Sequence, residues 1–155
     1  MMKEEEEFKI TIRCSDGVCV DAKPFAKECM LIRNDYECRF FEKFKFEGQS
    51  DILYKVAEFC EGRAKINNNN PADLNAFDSQ FLQRYHSDAI NLMIAAFYLD
   101  IKSLKELLMK EVDDMLTKMT ADEIYGIFHN NLKDYNYYKF EIMVHLLNNF
   151  PEEFE

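Results

Sequence analysis

Phe8-Lys9-Ile10-Thr11-Ile12-Arg13-Cys14 alternates apolar and polar residues without a break, the period of a strand with one buried face. Ser15-Asp16-Gly17 then supplies an Asp-Gly turn, which favours a hairpin into Val18-Cys19-Val20. Pro24 suits the first turn of a helix, where its missing N–H would be unpaired anyway. Phe25, Cys29 and Ile32 recur at helical spacing up to Tyr36. Alternation returns in Phe44-Lys45-Phe46, closed by Gly48, and predicts a third short strand. Ser50 is read as the N-cap of a helix marked by Ile52, Leu53, Val56, Phe59 and Cys60 and ending near Gly62. Asn67-Asn68-Asn69-Asn70-Pro71 is a polar run closed by proline, so residues 63–75 read as a loop between a β-rich half and an all-helical half.

Beyond that loop the pattern predicts successive helices. Ala89 to Leu99 is apolar nearly all round, with only Asn91 polar, and predicts a buried central helix. Leu104, Leu107, Leu108, Val112, Met115, Leu116 and Met119 form one stripe, while Glu106, Lys110, Asp114 and Lys118 mark the opposite, solvated face at successive i,i+4 positions. Thr120 with Glu123 makes a capping box for a short helix through Ile124, Ile127 and Phe128, ending near Asn130-Asn131. A last helix runs from Tyr137 to Phe150 and stops at Pro151. Its stripe of Tyr137, Phe140, Met143, Val144, Leu147 and Phe150 is widened by Tyr138, Ile142 and Leu146 beyond what one helix usually buries on its own core. Such a helix either docks deeply or is covered by another chain.

Composition narrows the function classes. With 155 residues, 48% hydrophobic, the chain can build one domain with a substantial core and a small annex. A formal charge of -10 repels phosphate backbones and anionic membrane surfaces, so neither nucleic acid nor membrane is an expected partner. The longest run without a charged residue, Ala89 to Leu99, is 11 residues, against the roughly 20 a membrane helix needs. Cys14, Cys19, Cys29, Cys38 and Cys60 form no C-x-x-C pair and read as small buried hydrophobes in a reducing compartment. The acidic start has no apolar signal segment, and the expected location is cytoplasmic and nuclear.

Phosphate-loop, dinucleotide, zinc-protease, EF-hand and serine-hydrolase motifs are all absent, so no cofactor, metal or catalytic residue is expected. His86, His129 and His145 are scattered singly. His86 near Asp88 resembles a base pair in want of a nucleophile.

Several segments together resemble one family. Cys14-Ser15-Asp16-Gly17 is similar to the S-S-D-G turn of the Skp-one family, and Val56-Ala57-Glu58-Phe59-Cys60 to its V-x-x-W/Y-C helix. Phe77-Asp78-Ser79-Gln80-Phe81-Leu82 is similar to W-D-x-E-F-L, and Ala95-Ala96-Phe97-Tyr98-Leu99-Asp100-Ile101-Lys102-Ser103-Leu104 to A-A-N-Y-L-D-I-K-x-L. Met119-Thr120-Ala121-Asp122-Glu123-Ile124 resembles K-T-P-E-E-I.

The resemblance implies an α+β chain with a BTB/POZ-type fold, a small three-stranded sheet flanked by helices, with additional C-terminal helices. Residues 1–7 would be an acidic tail, 8–118 the BTB/POZ-like domain and 119–155 the F-box-binding helices. It also implies a non-catalytic adaptor of an SCF-type ubiquitin ligase, bridging a cullin N-terminal domain to F-box proteins. The F-box face would comprise Val112, Leu116, Ile124, Ile127, Phe128, Phe140, Val144, Leu147 and Phe150, and the cullin face Phe97 and Tyr98. The chain departs from the family where Phe97 replaces the Asn of N-Y-L-D, and where His145-Leu146-Leu147-Asn148-Asn149-Phe150 stands for R-x-E-N-x-W. The alternatives are a BTB-type structural or self-associating protein without the ligase role and, more remotely, an enzyme. Self-association is a further expectation, since an uncovered apolar face favours it.

Overall fold

The computed structural model describes residues 10–25, 29, 43–66 and 69–132, with backbone alone at residues 43, 44, 128, 131 and 132. The hairpin forms as its pattern predicts. Strand β1 is Thr11–Arg13 and β2 is Cys19–Asp21, antiparallel with Ile12 opposite Val20. Between them, the Cys14 carbonyl accepts from Gly17 N–H at 3.0 Å and Cys14 N–H donates to the Val18 carbonyl at 2.9 Å. This turn needs Gly17 at φ +85, a conformation where a side chain would be strained. Strand β3, Lys43–Lys45, lies parallel to β1, so the sheet order is β2-β1-β3. Ile10, Ile12, Cys14 and Val20 turn inward while Arg13, Cys19 and Asp21 are exposed. Cys19 therefore departs from the expectation of uniformly buried cysteines; Cys38 lies outside the described residues.

Of the helix expected from Pro24 through Cys29 to Tyr36, Pro24, Phe25 and Cys29 are among the described residues. Lys23–Phe25 is a single 3-10 turn, extended by a bond from Cys29 N–H to the Phe25 carbonyl at 2.8 Å. Cys29 itself makes an antiparallel bridge to Ile101, and its thiol donates to the Leu99 carbonyl at 2.7 Å. Phe25 and Cys29 are both buried, and Cys29 is tied to the segment around Ile101 by its bridge and by a thiol bond that spans 70 residues.

Helix α1 spans Ser50–Ala64. Ser50 is its first residue rather than its cap: the hydroxyl donates to Asp16 Oδ2 at 2.6 Å and its N–H reaches the same oxygen at 3.3 Å. A carboxylate from the hairpin turn thus serves an open N–H and faces the positive end of the helix. Gly62 does not stop the helix either. A Cβ there would lie 2.3 Å from the Phe77 ring, so glycine is the residue that lets the next helix approach.

That next helix shortens the expected 63–75 loop. Helix α2 spans Pro71–Arg84, with Pro71 as first helical residue and the Asn70 side chain accepting from Asp73 N–H at 3.3 Å. Proline marks a start here, not a break. A 3-10 turn, His86–Asp88, leads into α3, Ala89–Leu99, whose Ala89, Ile90, Leu92, Met93, Ile94, Ala95, Ala96 and Leu99 are buried. Asp100 closes α3 in the left-handed region at φ 56. Helix α4, Lys102–Leu116, turns Leu104, Leu108, Val112 and Leu116 inward, and Glu106, Lys110, Asp114 and Lys118 are exposed. Helix α5 spans Ala121–Leu132 and opens with the expected capping box: Glu123 N–H donates to Thr120 Oγ1 at 3.1 Å and Thr120 N–H to Glu123 Oε1 at 2.8 Å.

The inward sheet residues and the apolar faces of α1, α3, α4 and α5 join in one core cluster, so the two halves expected from the sequence are one packed α+β unit among the described residues. The last helix expected, 137–150, lies outside them. No helix among the described residues is long and apolar enough to cross a membrane.

Candidate protein-docking surfaces

The first candidate surface is where α4 meets α5. Val112 and Leu116 follow one another at i,i+4 and Ile124 arrives from the capped start of α5, so the structure brings the three together. It brings them together inside the core, at 0%, 1% and 4% exposure. Their side chains are covered within the chain and belong to its core cluster. Ile127 is half-buried against the same core and lies at its rim. The side chain of Phe128, and Phe140, Val144, Leu147 and Phe150 entirely, lie outside the described residues. A helical stripe reads the same whether another element of the chain or another chain covers it.

Among the described side chains of α5, Tyr125 is a large one open to solvent at 68% exposure, with its ring stacked on His129 at 5.9 Å. Beside α4 runs a groove of about 450 Å³ lined by His86, Glu111, Asp114, Met115, Lys118 and Met119. Sequence proximity had paired His86 with Asp88. In the fold, His86 Nδ1 contacts the Glu111 carboxylate instead, and Asp88 pairs with Lys55 at 2.7 Å. That contact draws the Lys55 pKa above its ordinary value, chiefly through the Asp88 hydrogen bond. His86 and Asp88 are thus split between a His86–Glu111 contact and a Lys55–Asp88 ion pair, each tying neighbouring elements together.

The second surface is the turn between α3 and α4. Phe97 and Tyr98 are both half-buried. Tyr98 donates its hydroxyl to the Lys45 carbonyl at 2.6 Å and sets its ring edge-on to Phe46 at 5.4 Å. Lys105 Nζ stands 5.4 Å from the centroid of Phe97 and 2.9 Å from Asp100 Oδ1. With the Cys29–Ile101 bridge on its other side, the turn is held from β3, from α4 and from residue 29. The left-handed residue, the Cys29 thiol bond and the Lys105 contact across the turn had no signal in the sequence pattern.

Chemistry elsewhere is subdued. Burial pushes the Cys14 thiol up to about 11, with the neighbouring Asp16 charge adding to it, which keeps the thiol protonated and unreactive at neutral pH. Among the described residues, no group of three or more His, Cys, Asp or Glu side chains could hold a metal ion.

The described residues form an α+β unit whose ion pairs tie neighbouring elements together. The comparisons with known proteins are more particular. No family model matches the chain. It is 31% identical over 157 residues to SKP1-like protein 20 of Oryza sativa subsp. japonica, covering 83% of this chain and 87% of that protein. It is 38% identical over 84 residues to SKP1-like protein 11 of Arabidopsis thaliana, covering 52% and 55%. It is 28% identical to the E3 ubiquitin ligase complex SCF subunit sconC of Arthroderma benhamiae, covering 78% and 82%. The chain belongs to the SKP1-like family. The match to SKP1-like protein 11 spans only about half the length of that protein.

Proposed function

We propose that this chain is the adaptor subunit of an SCF-type E3 ubiquitin ligase, a non-catalytic BTB/POZ-type protein that bridges a cullin scaffold to F-box substrate receptors in the cytoplasm and nucleus. The observation that carries the reading is the family match over more than four-fifths of the chain, together with the name SCF subunit borne by the fungal relative. The three-stranded sheet backed by helices supports the BTB/POZ assignment. The turn of Phe97 and Tyr98 is the cullin-facing element, and residues 8–118 with 119–155 act as cullin-binding domain and F-box-binding extension.

In this reading Val112, Leu116 and Ile124 form the floor beneath the F-box face, and Ile127, Phe128, Phe140, Val144, Leu147 and Phe150 supply its contacts, an apolar helix in an apolar groove. The test is reconstitution of the full chain with an F-box domain and with several cullin N-terminal domains, read by co-elution and calorimetry. A ternary complex is expected. Phe140→Ala or Leu147→Ala weakens F-box binding by about 1–3 kcal/mol, the scale of a lost hot spot, without altering cullin affinity. A folded chain that binds neither partner overturns the adaptor reading.

A further inference from the structure

The cullin-facing turn has an unusual charge for its chain. The protein as a whole carries -10, yet three lysines, Lys45, Lys102 and Lys105, stand at this turn beside Asp100, Glu47 and Glu106. Lys45 lends its carbonyl to Tyr98 and leaves its own side chain 68% exposed, Lys102 is exposed at the start of α4, and Lys105 lies over Phe97. Asp100 is the carboxylate in contact with Lys105, and Glu47 near Lys45 is buried. Lysine there is not idle solvent-facing charge: the Lys105 side chain is only 21% exposed, because its ammonium is held between the aromatic ring and Asp100.

Resting on the adaptor reading, we propose that Lys105 is a specificity-determining residue of the cullin-facing turn, and that the turn recognises an acidic cullin surface through Lys105, Lys45 and Lys102 rather than an apolar pocket through Phe97. An ammonium within about 6 Å of a ring face is attracted by the ring's quadrupole, so the contact at 5.4 Å ties Phe97 to Lys105. Phe97 is then a platform for a cation. Asp100 is a positioning residue: in the left-handed conformation that ends α3, its carboxylate reaches Lys105 Nζ at 2.9 Å and sets the ammonium over the ring. An ammonium has three donors, which leaves capacity for a partner carboxylate beside Asp100. Exposed lysines at the turn favour encounter with a partner surface of the opposite sign.

The experiment measures affinity and association rate of the full-length chain against a panel of cullin N-terminal domains at low and high salt. The variants are Lys105→Leu, Lys105→Arg, Phe97→Leu and the double Lys45→Ala/Lys102→Ala. Lys105→Leu is expected to weaken binding about fivefold, and Lys105→Arg to retain it because a guanidinium both stacks on the ring and pairs with Asp100. The double variant slows association, and higher salt lowers the wild-type rate. Tighter or unchanged binding by Lys105→Leu, beside a loss in an apolar-preserving Phe97→Leu, overturns the proposal in favour of an apolar pocket. A second, partner-free readout follows the Lys105 ε-methylene protons by NMR. They shift upfield beside the ring and return in Phe97→Leu; absence of that shift overturns the Lys105–Phe97 contact, and the proposal with it, whatever the cullins do. No binding of wild type to any cullin domain, with the upfield shift present, overturns the adaptor reading and the assigned partner while leaving the contact itself measured.

Discussion

Helices α2 and α3 are neighbours in sequence and opposites in packing. All but three of the 11 residues of α3 are buried, whereas Phe81 is the buried residue among the 14 of α2. Helix α2 is held instead by a ladder of rings, Phe59 to Phe81 at 5.2 Å and Phe81 to Tyr85 at 5.1 Å, and by the ion pairs Arg63–Asp78 and Arg84–Glu58 at 2.9 and 2.7 Å. The contrast separates two ways of keeping a helix. Near-complete burial ties α3 to global stability, while one apolar edge and partly exposed ion pairs make α2 a unit that can loosen locally.

Breaking α3 should therefore unfold the protein. Ile94→Ala removes a fully buried side chain and is expected to cost about 2–5 kcal/mol, measured as a fall in the urea midpoint with unchanged slope. Gly62→Ala attacks α2 alone. The new methyl would collide with Phe77 at 2.3 Å, and displacing the ring should cost about 1–3 kcal/mol. Hydrogen exchange would show protection lost first in residues 71–84. Uniform loss across α3 as well would erase the distinction between the two helices.

Thr120→Ala tests whether α5 resembles α3 or α2. Losing the hydroxyl that accepts from Glu123 N–H should cost about 1 kcal/mol, seen in thermal melts and rescued by Thr120→Ser. The smallest effect concerns pH. Asp16 is held below its ordinary 3.8, first by the Ser50 hydroxyl and further by main-chain N–H donors. A depressed carboxylate contributes stability that is fully present above its unfolded value and is lost as pH falls through the lower folded value. Acid titration of wild type should thus lose a small contribution below about pH 4 that Asp16→Asn lacks; identical acid limbs would show that the turn and α1 are not linked through this carboxylate.

Much of the fold was legible. The alternation around Ile10 and Ile12, the Asp16-Gly17 turn, the all-apolar run of α3 and the Thr120–Glu123 capping box each state a local requirement that the backbone meets where it stands. The candidate site was less so. Which face of α4 and α5 remains for a partner depends on what covers Val112, Leu116 and Ile124, and a stripe of apolar positions does not name its cover.

Local periodicity, turn chemistry and family resemblance were determined by the order of residues itself, because each acts over a few positions. Tertiary structure alone decided the rest. It turned Cys29 from helix to bridge, made Gly62 a point of approach and Pro71 a helix start, gave the α1 end to Asp16, and laid Lys105 over Phe97. Each depends on a partner brought close by packing, and distance in space is what a one-dimensional pattern does not carry.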